Sequence, residues 1–213
     1  MKTTHIIHRG LLLAAAIILF VSCSKSKSNN NGRILTSATG SIYECLVVMN
    51  DQALTQDQLN EIAQHKLVNE ASGYTKPIAS LYDLVEAIMA ADMPCMPQVE
   101  PYFRLTHVST AQFDDMFKPT RNILFVDINP QKYTQLKAKV SKDYWSTPQA
   151  IYRIQSPSEE EFINYWLANG TAVREWFVSQ ELKRQTKFYR ASTNKQARAI
   201  LQQQGYDMLI PED

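Results

Sequence analysis

Two apolar runs rich in β-branched residues most constrain the fold of this chain. Residues 42–49 read Ile-Tyr-Glu-Cys-Leu-Val-Val-Met and end at an Asn-Asp pair, and residues 121–128 read Arg-Asn-Ile-Leu-Phe-Val-Asp-Ile and end at Asn-Pro. Runs of this length and composition, bounded by turn-forming residues, are typical of strands inside a sheet. The sequence therefore predicts a sheet that contains both runs as well-buried strands.

Helix signals accompany these strands. Capping-box spacing marks helix starts at Thr55 and Ser158, Thr193 begins a last helix, and apolar residues at helical spacing follow Ser80. The helix after Ser158 is expected to be long, with Gly170 as a candidate interruption. The other predicted elements are strands over 102–108, 134–141, 149–155 and 206–210 and a brief helix over 111–117.

The order of these elements predicts the fold class. It shows neither strict alternation of strand and helix nor a repeat of 20 to 50 residues. We expect an α+β fold, with a mixed or antiparallel sheet and helices packed mainly on one face. About 180 residues of this composition suffice for one domain with a real core.

The first 22 residues have the pattern of a bacterial lipoprotein signal peptide. Lys2 and Arg9 precede residues 11–21, which include no polar residue, and residues 20–23 read Phe-Val-Ser-Cys. A permanent span needs roughly 20 apolar residues, so this shorter run predicts a cleaved signal. The last four residues resemble a lipobox, which predicts acylation of Cys23, although Phe20 replaces the usual leucine. The alternatives are an ordinary signal peptide or an uncleaved anchor.

Residues 23–40 are predicted to form a lipidated flexible tether, and residues 41–213 a single domain. The tether begins with Ser, Lys, Asn and Gly and has no aromatic residue near Cys23, a composition that buries too little apolar surface to fold. From residue 32 onward the chain has 18 Lys and Arg against 21 Asp and Glu. A faintly acidic domain is not suited to grip nucleic acid.

Five stretches of the mature chain resemble an uncharacterised family of domain-of-unknown-function lipoproteins from Bacteroidota. They are YECLVVMND, MPQVEPYFRLTHVS, KPTRNILFVDINP, DYWSTPQAIYRIQSPSEEEF and FYRASTNKQARAILQQQGYDMLIPED. The resemblance implies a location and a lineage, but no activity, ligand or catalytic residue. Two departures accompany it. The segment 55–76 looks longer than in the family, and residues 206–213 resemble the start of a second half, so we expect a shortened form.

No catalytic or metal-binding motif is found in the sequence. Metalloprotease, zinc-finger and serine-hydrolase patterns are absent, and His65 and His107 lie far apart in the sequence. Asp127 follows an apolar strand, where α/β enzymes often place a carboxylate, and is the one weak catalytic candidate. An aspartate before Asn-Pro is also ordinary turn chemistry. The sequence indicates no metal and no cofactor, and it leans against an enzyme.

Two further groups of residues are candidate sites. Cys45 and Cys95 could form a disulfide in an oxidising compartment, although a cysteine within an apolar strand also behaves as a small hydrophobic residue. Aromatic residues on the long helix and beyond are candidates for a partner-binding surface, with core packing as the alternative for most of them: Trp166, Trp176, Phe188 and Tyr189.

These features predict a binding or protein-interaction module that is lipid-anchored in the cell envelope, at the periplasmic side of the outer membrane. Its expected partners are the bilayer, through acylated Cys23, and an envelope protein. The basic stretch from Lys183 to Arg198 could contact anionic lipid or be a solvated helix face. The alternatives to a binding module are an envelope enzyme with a carboxylate site at Asp127 and a purely structural lipoprotein.

Overall fold

The computed structural model of the chain describes residues 34–65 and 76–212. Within these ranges there are seven strands and four helices. In chain order they are β1 (Thr36–Ser37), β2 (Glu44–Met49), α1 (Gln56–Gln64), α2 (Leu81–Met89), β3 (Arg104–Val108), β4 (Asn122–Ile128), β5 (Lys137–Lys142), β6 (Ser146–Thr147), β7 (Ala150–Ser156), α3 (Glu159–Ala191) and α4 (Lys195–Gln203).

Five strands form one mixed sheet, in the order β3-β2-β4-β7-β5. The first four are parallel, and only β5 runs antiparallel, with Ala138 opposite Ile154 of β7. The short β1 pairs with β6 in a separate parallel ladder. Both apolar runs of the sequence are interior strands, β2 and β4, as predicted. The α+β fold class is confirmed.

The helices cover one face of this sheet. Alternate residues of β2, namely Cys45, Val47 and Met49, point into a core to which α1, α2 and α3 each contribute side chains. Trp166 of α3 is fully buried there, and its indole Nε1 donates to the Leu84 carbonyl of α2 at 3.2 Å. This core fixes α3 across the sheet.

The opposite face is covered by aromatic side chains from loops and from the sheet itself. Leu46 and Val48 of β2 belong to a second core cluster, against which Phe113, Phe125 and Trp145 pack. The Phe113 and Phe125 rings lie edge to face at 4.9 Å. The prediction that helices pack mainly on one face is therefore confirmed.

Helix α3 is continuous through Gly170, so this glycine does not interrupt it. Its role is close packing, because a Cβ at this position would lie 2.9 Å from Cδ1 of Ile88 in α2. At the start of the helix, the Ser158 side chain accepts a hydrogen bond from the Glu161 amide, as the capping pattern predicts.

Other predicted boundaries were wrong. Residues 111–117 form turns, because side chains such as Asp114, which accepts from the Met116 amide at 2.9 Å, compete with helical hydrogen bonds. Residues 206–210 do not form a strand: the Ile210 carbonyl accepts from the Asn194 amide and Pro211 bridges Thr193, so the segment pairs with the turn before α4 instead of with a sheet edge. The strand predicted from residue 134 begins at Lys137.

The folded domain also begins earlier than residue 41. Thr36 and Ser37 pair with β6, and the Thr39 amide donates to the Pro119 carbonyl at 2.9 Å. Backbone pairing does not require apolar side chains, so polar composition alone could not exclude these residues from the fold. The predicted signal peptide, Cys23, the start of the tether and Leu67 at the predicted end of α1 lie outside the described residues. Among the helices that are described, none is long and apolar enough to span a bilayer.

Candidate functional site

A buried cluster of charged and polar residues joins α3 to the amino-terminal edge of the sheet. Glu181, which is 0% exposed, accepts from Arg121 at 2.7 Å, from Arg184 at 2.8 Å and from the Asn122 amide at 2.6 Å. The Asn122 side chain also donates to the Glu44 carbonyl of β2. We call Arg121, Asn122, Glu181 and Arg184 the ion cluster.

The ion cluster carries two guanidinium groups for one carboxylate. The Nε atoms of Arg121 and Arg184 are buried without a hydrogen-bond partner. Burial lowers the pKa of the Arg184 guanidinium, and the neighbouring Glu181 carboxylate opposes that shift. The carboxylate therefore holds two cations at the sheet edge, and its loss would leave both without the only carboxylate that pairs with them directly among the described residues.

After Glu181, none of the residues from Leu182 to Glu212 is buried. We call residues 182–212 the projecting end; it consists of the last turns of α3, then α4 and the segment after it. Its exposed large apolar side chains are Leu182, Phe188, Tyr189, Ile200, Tyr206 and Met208. Phe188 and Tyr189 lie against each other, with ring centroids at 5.6 Å, and exposed apolar side chains that lie together are typical of an interaction surface rather than of a solvated helix face.

Cationic side chains lie among these apolar ones. Lys183, Lys187 and Arg190 line a shallow groove along α3 together with Leu182 and two hydroxyl side chains, and no carboxylate is among the lining residues. The three cations follow one another at helical spacing, so they share one side of the helix. The groove combines positive charge with an apolar floor.

The chain enters the domain close to this end. The Gly40 carbonyl accepts from Arg121 Nη1 at 3.4 Å, and the same guanidinium pairs with Glu181 through Nη2. The Arg121 side chain therefore contacts both residue 40 and Glu181, the residue just before the projecting end. The amino-terminal segment and the projecting end lie at the same edge of the sheet.

The four aromatic residues predicted to bind a partner divide into two pairs. Trp166 is buried in the core, so its assignment to a binding surface was wrong. Trp176 is half-buried and packs edge to face on Tyr152, with ring centroids at 5.5 Å. Phe188 is 69% exposed and lies 5.6 Å from the ring of Tyr189, which is also exposed. Only the second pair belongs to the projecting end, because α3 leaves the core between the two pairs.

Asp127 lies at the opposite, carboxyl edge of the parallel strands. Its Oδ2 accepts from the Tyr133 hydroxyl at 2.5 Å, and the Gln155 amide donates to that hydroxyl at 3.0 Å. Burial, and then the hydrogen bond to Asp127, raise the pKa of Tyr133, which keeps the phenol protonated. This arrangement can orient a carboxylate toward a ligand, but it pairs the carboxylate with a donor rather than with a nucleophile or a base.

Basic side chains neighbour Asp127 on the open face of the sheet. Lys137 is opposite Gln155 and Lys139 opposite Arg153, while the Arg153 guanidinium lies 4.5 Å over the Phe125 ring. The alternation of strand residues places these side chains on the face that no helix covers. We call Asp127, Lys137, Lys139, Arg153 and Gln155 the polar row. The sequence indicated only that Asp127 follows an apolar strand.

Cys45 and Cys95, the two cysteines of the described residues, are free thiols and do not form the disulfide that the sequence left possible. Cys45 is buried in β2, and its burial raises the pKa of the thiol. Cys95 is exposed in the loop between α2 and β3, where it has a φ of 63°. A thiol enclosed by the core cannot meet a thiol on the surface. An oxidising compartment is therefore not sufficient for a disulfide between Cys45 and Cys95.

The two histidines among the described residues lie far apart in sequence and in different elements. The His107 ring stacks on Tyr82 at 4.4 Å, and its Nε2 lies 3.0 Å from the Met49 carbonyl. His65 follows the last turn of α1. Within residues 34–65 and 76–212, no group of three or more His, Cys, Asp or Glu side chains is arranged to hold a metal ion.

The ion cluster was missed at the level of sequence, although two signals pointed to it. Glu181 lies four residues after buried Phe177, a spacing that puts it on the core side of the helix. Arg121 and Asn122 open an otherwise apolar strand. Charged residues on a buried face are informative, because burial of a charge requires a partner.

Comparison with known proteins gives one match. Residues 78–190 match a family described as Domain of unknown function (DUF8532). No curated protein matches the chain, and no solved structure matches it. The matched segment runs from just before α2 to the end of α3 and lacks β2, which lies between β3 and β4 in the sheet. The folded domain therefore extends beyond the matched residues.

Proposed function

Because this chain belongs to the DUF8532 family, whose function is unknown, we propose from its sequence and geometry that it is a lipid-anchored binding module of the cell envelope. The observation that carries the proposal is the projecting end. Phe188 and Tyr189 are exposed on the turn of α3 that follows Lys187, at the edge of the sheet where the chain enters the domain.

The amino-terminal sequence supports the anchor. A charged start, an apolar run and the Phe-Val-Ser-Cys tetrapeptide are typical of a lipoprotein signal peptide, which would make the mature chain begin with acylated Cys23. Two or three acyl chains hold a protein firmly, since each buried CH₂ contributes about 0.8 kcal/mol. The tether has no acidic run after Cys23, which by resemblance to known sorting signals favours the periplasmic side of the outer membrane.

The anchor restricts where the projecting end can act. Ten residues, 24–33, separate Cys23 from the described domain, and ten residues span at most about 35 Å even when fully extended. The edge of the sheet that receives this segment must then stay close to the bilayer. A binding surface at that edge serves contacts at or near the membrane.

Two linked measurements test this proposal. The first is mass spectrometry of the amino-terminal peptide from membranes, with Cys23→Ala as the control; we expect two or three acyl chains on Cys23 only in the unsubstituted chain. The second replaces Phe188 with a photo-crosslinking phenylalanine analogue in intact cells and compares it with the same analogue at Glu160. Glu160 is exposed at the far end of α3, so adducts should form from position 188 and not from position 160.

An unmodified Cys23 would remove the anchor from the proposal. Equal crosslinking from both positions would remove the projecting end as the binding surface.

A carboxylate enzyme is the second candidate function. The observation that favours it is the polar row at the carboxyl edge of parallel strands, a common location of ligand sites in open sheets. In this reading Asp127 is the acting carboxylate and Tyr133 orients it. Asp127→Asn and Tyr133→Phe should then abolish any cellular phenotype of the protein without lowering its abundance, and wild-type phenotypes from both variants would exclude it.

A further inference from the structure

We propose that the projecting end docks on anionic phospholipid head groups of the same bilayer that holds Cys23. This inference rests on the proposed function and names the partner of its binding surface. It makes the anchor and the helix two contacts of one domain with one membrane.

The first argument is the geometry of the sheet edge. Helix α3 begins after the carboxyl end of β7, crosses the helix-covered face and reaches the amino-terminal end of β4 at Glu181. From there it continues for ten residues, or about 15 Å of helix. Residue 40 lies at that same end, through the contact of its carbonyl with Arg121. A bilayer that holds the amino terminus within about 35 Å therefore lies on the side of the molecule where α3 extends.

The second argument is charge complementarity. Without Arg184, which pairs with buried Glu181, residues 182–213 carry five Lys and Arg and three Asp and Glu, whereas residues 32–181 carry 12 and 18. The far end of α3 opens with three consecutive glutamates, residues 159–161. The molecule is thus negative away from the anchor and positive near it, which orients it with the projecting end toward a negative surface.

The third argument is the mixture of side chains. Lys183 and Lys187 carry their charges on long flexible stems, Leu182 lines the groove with them, and Phe188 and Tyr189 are exposed on the turn of α3 that follows Lys187. Basic residues with interleaved aromatic and aliphatic ones are typical of helices that lie in the head-group region. An acidic protein groove would satisfy the charges as well, but the short connection to Cys23 keeps phospholipid permanently within reach.

The test uses residues 24–213, which retain every described residue, in co-sedimentation with vesicles. One set of vesicles is phosphatidylcholine and the other adds phosphatidylglycerol. We expect partition to be stronger on the anionic vesicles. Lys183→Glu, Lys187→Glu and Arg190→Glu together should lower that partition on the order of 100-fold, since each cation near an anionic surface contributes about fivefold and reversal removes all three.

A matched control carries the same change of charge elsewhere. Lys132→Glu, Lys137→Glu and Lys139→Glu replace three exposed lysines in the loop after β4 and on the half of β5 nearer the carboxyl edge of the sheet, and we expect this variant to keep most of the anionic partition. Circular dichroism should show that both variants keep the helix content of the unsubstituted chain. Equal partition on both kinds of vesicle, or equal losses in the two variants, would overturn the proposal.

The lipidated protein separates this inference from the proposed function. When it is reconstituted in vesicles, the photo-crosslinker at position 188 should give phospholipid adducts in anionic vesicles and few in neutral ones. A crosslink from position 188 to a protein in cells, without anionic dependence in vesicles, would overturn membrane docking but leave the binding module intact. An unlipidated Cys23 would count against the proposed function, while the co-sedimentation result would still decide the docking.

Discussion

Replacement of Glu181 by glutamine should strongly destabilise the domain. The substitution keeps the size of the side chain but removes the only carboxylate between the two guanidinium groups of the ion cluster, which are 17% and 11% exposed. The new amide must also direct an N–H toward a donor, since Glu181 receives hydrogen bonds from Arg121, Arg184 and Asn122. Removing one partner of a buried ion pair costs about 3–5 kcal/mol, a large part of the 5–15 kcal/mol that stabilises a typical domain.

Glu175→Gln is the matched control. Glu175 lies on the same helix and also pairs with an arginine, at 3.2 Å, but its side chain is 51% exposed. An exposed pair contributes about 0–1 kcal/mol, so this variant should unfold almost as the unsubstituted chain does. The same substitution chemistry at two burial depths thus isolates the effect of desolvation.

Urea unfolding followed by tryptophan fluorescence measures both variants, because Trp166 reports on the core that α3 forms. Thermal unfolding should show the same effect, since a loss of 3–5 kcal/mol in the free energy of unfolding corresponds to a fall of about 10 °C in Tm for a domain of this size. The cost of Glu181→Gln should persist in 1 M NaCl, since buried charges are poorly screened. A loss within 1 kcal/mol of the Glu175→Gln value would refute the view that the ion cluster fastens α3 to the sheet.

Three smaller predictions follow from the packing of the domain. Gly170→Ala should destabilise the domain by about 1 kcal/mol, because crowding against Ile88 of roughly 1–3 kcal/mol outweighs a gain in helix propensity of about 1 kcal/mol. Ile88→Val, which removes Cδ1, should restore stability to the Gly170→Ala variant. If the unfolding free energies of the two substitutions simply add in the double variant, the result would argue against the contact. In native protein a maleimide should modify Cys95 rapidly and Cys45 only after unfolding, as mass spectrometry of digests can show; equal rates would contradict the buried position of the second thiol. Ser158→Ala should cost about 1 kcal/mol of thermal stability through loss of the helix cap, with no change of oligomeric state or secondary-structure content.

Much of the fold was predictable because its signals are local. The capping pattern at Thr55, the apolar spacing after Ser80 and the apolar run of β4 each depend on residues a few positions apart, and all three elements formed where expected. The predictions that failed were at the weakest local signals. Residues 111–117 were too short a pattern for a helix, and residues 206–210 had no neighbouring strand to pair with.

The candidate site was predictable only in part. Exposure of Phe188 and burial of Trp166 follow from the length of α3 relative to the sheet, which no aromatic pattern reveals. Asp127 could be picked out as a strand-end carboxylate, but its hydrogen bond with Tyr133 and its row of basic neighbours required the register between β4, β7 and β5.

By itself the sequence determined the five strands of the main sheet, the starts of α1, α2 and α3, and the pattern of a lipoprotein signal, because periodicity, caps and composition act over short stretches of chain. Only the tertiary structure decided the strand order, the free state of the cysteines and the ion cluster. Arg121 and Glu181 are 60 residues apart, and whether two such charges meet depends on how the whole sheet and its helices pack. The same packing brings the projecting end beside the segment that leads to Cys23, which is the juxtaposition from which membrane docking is inferred.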